Sequence, residues 1–105
     1  MTDKQLTDSE ILGACARACE EIIQFDEASG LTFLHSIYSG VFWNPIQNYG
    51  DCFRIENKCG ISLDCHLGIA FSDQAEERFT PGNDAERRRA SCLVVARAQL
   101  GKEQK

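Results

Sequence analysis

Residues 42–61, FWNPIQNYGDCFRIENKCGI, crowd a tryptophan, a proline, two glycines, two cysteines and an Asp-x-x-Arg pair into twenty positions. The order of these residues reads as a helix with its punctuation. Asn44 with Pro45 offers one start, a cap followed by the imino acid that suits a first helical position, and Gly50 with Asp51 offers a second. The helix is predicted to run to about Lys58, with Gly60 just past its end, where a left-handed residue closes helices. Cys52, Ile55 and Cys59 recur at spacings of three and four, so they form one buried seam.

Working outward, ISLDCHLGI (61–69) alternates. Ile61, Leu63, Cys65, Leu67 and Ile69 fall on one face of a predicted strand over 61–71, and Ser62, Asp64 and His66 fall on the other. SDQ turns the chain, AEERF returns as a partner strand, and TPGND breaks it. Asn83 with Glu86 caps a last helix, DAERRRASCLVVARAQLG, which buries Leu93, Ala96 and Leu100 and is expected to end at Gly101. At the other end, Thr7 three residues before Glu10 is a capping box, with Leu6 and Ile11 placed as a hydrophobic staple. The helix that follows buries Ile11, Leu12, Cys15, Cys19, Ile22 and Ile23 and fades over 25–29. Residues 31–42 are rich in aromatic and β-branched side chains and are read as extended chain. These elements predict an α+β fold, three helices packed around a small, mainly antiparallel sheet with strand 61–71 central. Residues 1–105 form one domain, with 1–6 and 102–105 as frayed ends.

Composition fits an ordinary globular domain, 43% hydrophobic and 26% charged, without repeats or low-complexity tracts. MTDKQLTDSEIL has no apolar stretch for a signal peptide, and no apolar run approaches the ~20 residues of a membrane span. A cytoplasmic setting follows, in which Cys15, Cys19, Cys52, Cys59, Cys65 and Cys92 read as reduced core thiols. The net charge of −5 argues against generic nucleic-acid binding, which needs basic side chains against phosphates. The lack of a membrane-length apolar run predicts no membrane partner.

Several groups of residues invite chemistry by type. Cys15 and Cys19 have a permissible zinc spacing but lie on the apolar face of a helix, so core packing accounts for them better. Cys65 and His66 are adjacent on a strand and point to opposite faces, which denies the hydrogen bond a nucleophile needs. Ser62, Asp64 and His66 share a strand face but stand roughly 6.5–7 Å apart. They define the alternative function, a small hydrolase or ligand-binding protein. No phosphate loop or dinucleotide motif occurs, and no cofactor or metal is expected. Asp51 and Arg54 cap and ion-pair the second helix. Arg87, Arg88 and Arg89 open the third helix, where its dipole disfavours cations. Either they pair with Asp84, Glu86 and the acidic first helix, or Arg87 and Arg88 project outward to an acidic partner while Arg89 turns inward. Trp43 and Tyr49 flank the proline turn as a lid on the core or as binding anchors.

Taken together, WNPIQNYGDCFRIENKCGI and NDAERRRASCLVVARAQLGK resemble the phage ABA-sandwich domain family. Its members run W-N/D-P, a short spacer, G/A-D-A/C-hydrophobic-R-hydrophobic and G-I, and close on a helix containing R-R-A and ending in hydrophobic-G-K. The matching residues are Trp43, Asn44, Pro45, Gly50, Asp51, Phe53, Arg54, Ile55, Gly60 and Ile61, then Arg88, Arg89, Ala90, Leu100 and Gly101. The resemblance spans residues 43–102, and Cys52, Phe53 and Cys59 depart from it where many relatives carry Leu or Ala. It implies an α-β-α sandwich and a phage or prophage origin, but no activity. The expected function is a non-enzymatic accessory protein of the host cytoplasm that binds a host or phage protein. Arg87, Arg88, Trp43, Asp51 and Arg54 are its candidate contacts.

Overall fold

The computed structural model of the chain describes residues 5–20, 23–26, 31–34 and 43–104. Helix α1 (Asp8–Ala18) starts as the sequence predicts. Thr7 Oγ1 accepts from the Glu10 backbone N–H at 3.2 Å and Glu10 Oε1 accepts from the Thr7 N–H at 2.9 Å, a reciprocal capping box. Ile11, Leu12, Ala14, Cys15 and Ala16 are buried along it. The helix stops earlier than expected. Cys19 is its C-cap, and Glu20 takes the left-handed region at φ 59°, which turns the chain out of the helix. Ile23 therefore lies in a strand, β1 (Ile23–Asp26), which pairs antiparallel with β2 (Leu31–Leu34). The β-branched and aromatic content of IQF and LTFL favours this pairing over another turn of helix. The extended reading of 31–42 holds over β2, and its remainder lies outside the described residues.

Helix α2 (Tyr49–Cys59) uses the second of the two starts. Asn48 is its N-cap, accepting from the Asp51 N–H at 2.9 Å. Asn44 and Pro45 instead form a separate turn, in which Asn44 Oδ1 accepts from the N–H groups of Ile46 and Gln47 at 3.0 and 3.1 Å. Gly60 closes α2 at φ 67°, and the Ile61 N–H reaches back to the Glu56 carbonyl at 2.9 Å.

The predicted strand over 61–71 is a hairpin. β3 (Ser62–Asp64) and β4 (Ile69–Phe71) pair antiparallel, and β5 (Glu76–Arg78) adds to β4, giving the order β3-β4-β5. The turn is made by side-chain chemistry that alternation does not see. Asp64 Oδ1 accepts from the N–H groups of His66 and Leu67 at 3.1 and 3.0 Å, and Gly68 takes φ 75°. A Cβ at Gly68 would lie 2.1 Å from the Phe79 carbonyl oxygen, so glycine also permits the close approach of β5's end.

Helix α3 (Asp84–Glu103) is the spine. Asn83 caps it, accepting from the Glu86 N–H at 3.1 Å. Cys92, Val95 and Ala96 face a core shared with α1 and α2 that includes Leu6, Ile11, Leu12, Trp43 and Ile55. On the opposite side Ala90 and Val94 pack against Ala70 and Phe79 of the sheet region. At ~100° per residue these two sets occupy opposite faces, so α3 is clad by helices on one side and strands on the other. The fold is α+β, three helices with an antiparallel sheet. Neither end frays as expected over the described residues: Leu6 is buried, and α3 runs through Gly101 to Glu103, where Arg17 holds it by two hydrogen bonds of 2.6 and 3.0 Å.

Candidate functional site

The three consecutive arginines that open α3, Arg87, Arg88 and Arg89, are engaged, and Arg87 is not outward-facing. It is buried between α2 and α3, with only 9% of its surface exposed, because its register faces α2. Its Nη1 donates to Glu56 Oε2 at 2.7 Å and its Nε donates to Asp84 Oδ1 at 3.1 Å. Ser91 Oγ, fully buried, donates to the same Glu56 oxygen at 2.6 Å. Tyr49 covers the guanidinium with its ring, 4.9 Å from centroid to carbon, a cation–π arrangement that substitutes for water. Nη2 is buried with no hydrogen-bond partner among the described residues. Burial pulls the Arg87 pKa down, but the hydrogen bond to Asp84 and the charge of Glu56 outweigh it and hold the group above its ordinary value.

Arg88 does not project outward either: only 16% of its side chain is exposed, its Nε donating to the Ile46 carbonyl at 3.0 Å while Nη1 pairs with Asp84. Arg89 pairs with Asp8 of α1. Asp51 is not a cap. Its Oδ2 accepts from the Asn44 N–H at 3.0 Å and its Oδ1 from Arg54 Nη1 at 2.7 Å, so it fastens the proline turn to α2. Trp43 is buried in the helical core and serves as a lid. Of the predicted contact residues, Arg54 alone presents most of its side chain, 75%, to solvent.

Ser62, Asp64 and His66 do not share a strand face. Ser62 and Asp64 lie in β3, His66 lies in the turn, and the Asp64 carboxylate is occupied with that turn's backbone. The hydroxyl, carboxylate and imidazole are therefore not assembled as a relay. Cysteine placement divides too. Cys52 and Cys92 are sealed between helices; hydrogen bonding to Cys92 and burial push the Cys52 thiol up, and hydrogen bonding to Cys15 does the same for Cys92. Cys65 is exposed in the hairpin turn, against the core placement expected for it. Among the described residues, no group of three or more His, Cys, Asp or Glu side chains is placed to hold a metal ion.

What the sequence reasoning missed is an exposed aromatic edge. Tyr49 and Phe53, one turn apart on α2, leave 60% and 61% of their surfaces open. Each borders a recess. Beside Tyr49, between α2, the hairpin turn and the start of α3, lies about 250 Å³ bounded by Cys65, Phe79, Asn83 and Arg87. Beside Phe53, between α2 and β3, lies about 370 Å³ bounded by Asn57, Gly60, Ser62 and Leu63. A partial signal was present: position 53 lies well away from the seam of Cys52, Ile55 and Cys59, and position 49, three residues before Cys52, lies at its border; both are aromatic. Leu67, at the hairpin turn, is exposed to the same degree, 61%. No protein-family model, no curated protein and no solved structure matches the chain. No helix among the described residues is long and apolar enough to cross a membrane.

Proposed function

We propose that this chain is a non-enzymatic phage or prophage accessory protein that acts in the host cytoplasm by binding a host or phage protein along the α2–β3 edge. The observation that carries the binding reading is the pair Tyr49 and Phe53, both about three-fifths exposed and both beside a recess. Aromatic side chains and arginine are the residues most enriched at interface hot spots. Here Arg54 stands on the same helix with its guanidinium held to Asp51 and largely open to solvent. Covering the exposed three-fifths of each ring with a partner would contribute roughly 1–2 kcal/mol by area alone. The phage setting is supported by the sequence resemblance over residues 43–102.

The test is affinity capture from infected and uninfected host cells with wild type and with Tyr49→Ser/Phe53→Ser, followed by binding of the purified partner. The expected result is a partner that wild type retains and the double variant binds at least about tenfold more weakly, a loss of ~1.4 kcal/mol. Equal binding by both proteins refutes the edge. Loss on replacing Ser62, Asp64 and His66 instead would move the surface to the hairpin.

A further inference from the structure

Cys19 and Cys59 stand apart from the other thiols. Cys19 is the C-cap of α1 and Cys59 the last residue of α2, so two helix ends bring their sulfurs to 3.9 Å although the residues are 40 apart in sequence. Lys58 Nζ donates to the Cys19 carbonyl at 2.8 Å, which fastens the two ends together. Cys59 is half-buried and borders a recess of about 410 Å³ whose walls include Lys58, Lys102, Asp73 and Gln99. The pair thus has what the sealed Cys52 and Cys92 lack, a solvent-connected approach flanked by two ammonium groups.

We propose that Cys19 and Cys59 form a redox-active dithiol that reduces small disulfides bearing carboxylates, Cys59 attacking from the recess and Cys19 resolving. The Cys59 thiolate attacks one sulfur of the disulfide RSSR. The Cys59–S–S–R bond forms, the substrate S–S bond breaks, and the first RS⁻ leaves. Cys19 then gives up its proton to the departing thiolate or solvent, and its sulfur attacks Cys59 and expels the second RS⁻. The protein dithiol is oxidised by two electrons and RSSR becomes two thiols. Closing the 3.9 Å separation to a bond of about 2.05 Å requires a shift of about 2 Å at two helix ends. Lys58 and Lys102 favour an anionic substrate at the mouth, and Asp73 orients it by repelling carboxylates from its own wall.

Supporting this, Cys59 is held down to about 7, chiefly by hydrogen bonding from the Cys19 thiol and further by Lys58 and Lys102, against the opposing effect of burial. The groups facing it are Cys19 from α1, Lys58 from α2, Lys102 from α3 and Asp73 from the β4–β5 turn. About half of it is thiolate at neutral pH, where an ordinary thiol of pKa ≈ 8.5 is only a few per cent ionised.

The test uses the full chain with glutathione disulfide as probe, acid quenching, and peptide mapping by mass spectrometry. In wild type the expected product is a peptide linking Cys19 to Cys59. Cys19→Ser should trap a glutathione adduct on Cys59. Cys65→Ser should leave the rate of cross-linking unchanged. That rate should rise through a midpoint near pH 7, with Cys59 reacting at least about threefold faster than the more exposed Cys65 at that pH, a larger thiolate fraction being partly offset by the lower nucleophilicity of a more acidic thiol. Modification of Cys65 with Cys59 left reduced overturns the proposal, as does a midpoint above about pH 8. The wild-type map decides on its own should Cys19→Ser fail to fold.

Discussion

Within α2 the usual distribution of residue types is inverted over a short stretch. Its contact with α3 buries a carboxylate, Glu56, against Arg87 and Ser91, while Tyr49, seven residues earlier and so on nearly the same side, and Phe53, one turn before Glu56, are exposed. The same helix also carries an ordinary apolar seam, Cys52 and Ile55, so the inversion is local. It teaches where to look for structure and where for function. Charge is tolerated inside because Arg87 Nη1 and Ser91 Oγ donate to the Glu56 carboxylate and Asp84 accepts from Arg87 Nε, which leaves Nη2 under the cover of Tyr49. Aromatic surface outside has no such internal account, and Tyr49 joins the two by stacking on Arg87 with one face and meeting solvent with the rest.

The sharpest way to break this comparison is Glu56→Ala. Removing one partner leaves a buried guanidinium that retains only Asp84, together with a buried serine hydroxyl without its acceptor, and the expected loss is about 3–5 kcal/mol in urea unfolding. Glu56→Leu with Arg87→Met should recover part of that loss, because an apolar replacement of both charges removes the unpaired group. A single-variant loss below about 1 kcal/mol would show that water reaches the pair. Next in size is Asn48→Ala, expected to cost about 0.5–2 kcal/mol through the lost cap on the α2 start. A loss that small at Asn48 and much larger at Asp51 would make the proline turn, not the cap, the anchor of the helix.

How much of this was legible in sequence depends on which interactions set each feature. The capping box at Thr7, the N-cap at Asn83 and the closing Gly60 are local chemistry, legible in the residues themselves. The hairpin within 61–71 was not, because alternation of Ile61, Leu63, Cys65, Leu67 and Ile69 continues through a turn whose determinants are polar: Asp64 binding two N–H groups and Gly68 at positive φ. Both residues were visible in DCHLG, and turn chemistry outweighs periodicity over so short a run. Arg87 could not have been placed from its own helix. Its burial is decided by Glu56, 31 residues away, which offers a carboxylate inside the interface. The aromatic edge was readable in part, since position 53 lies well away from the seam of α2 and position 49 at its border.

Tyr49→Ser/Phe53→Ser sharpens the comparison from the other side. If the outer edge serves a partner, the double variant should change stability by no more than about 0.5–1 kcal/mol, the range for surface positions together with a modest stacking term. A loss above about 2 kcal/mol in thermal or urea unfolding would make these rings part of the structure and leave the binding edge without its anchors.

The smallest expected effect sets the exposed ion pair of Arg17 and Glu103 against the sealed pair of Arg87 and Glu56. Glu103 is held below its ordinary 4.5 by hydrogen bonding from Arg17 first and Gln99 second, and Arg17 is correspondingly raised. A carboxylate whose folded pKa is depressed contributes stability that is fully present above its unfolded value and is lost as pH falls through the folded one. The melting temperature of wild type should therefore exceed that of Glu103→Gln by a constant, small margin well above the ordinary carboxylate range, and the margin should narrow as pH falls into that range and close below it. Glu86, lowered by hydrogen bonding from Thr80, lies in the same window, so the comparison is made against the single variant and not against acid unfolding of the whole chain. Salt separates the two pairs. The Glu103 margin should shrink between about 0.05 and 1 M NaCl, because screening acts on exposed charges. The Glu56→Ala loss should persist across the same range, since Arg87 and Glu56 present only about a tenth of their side chains to solvent. A Glu56→Ala loss that fades with salt as the Glu103 margin does would mean that the contact of Glu56 with Arg87 is wet, and the contrast between this buried charge and the exposed rings beside it would fall.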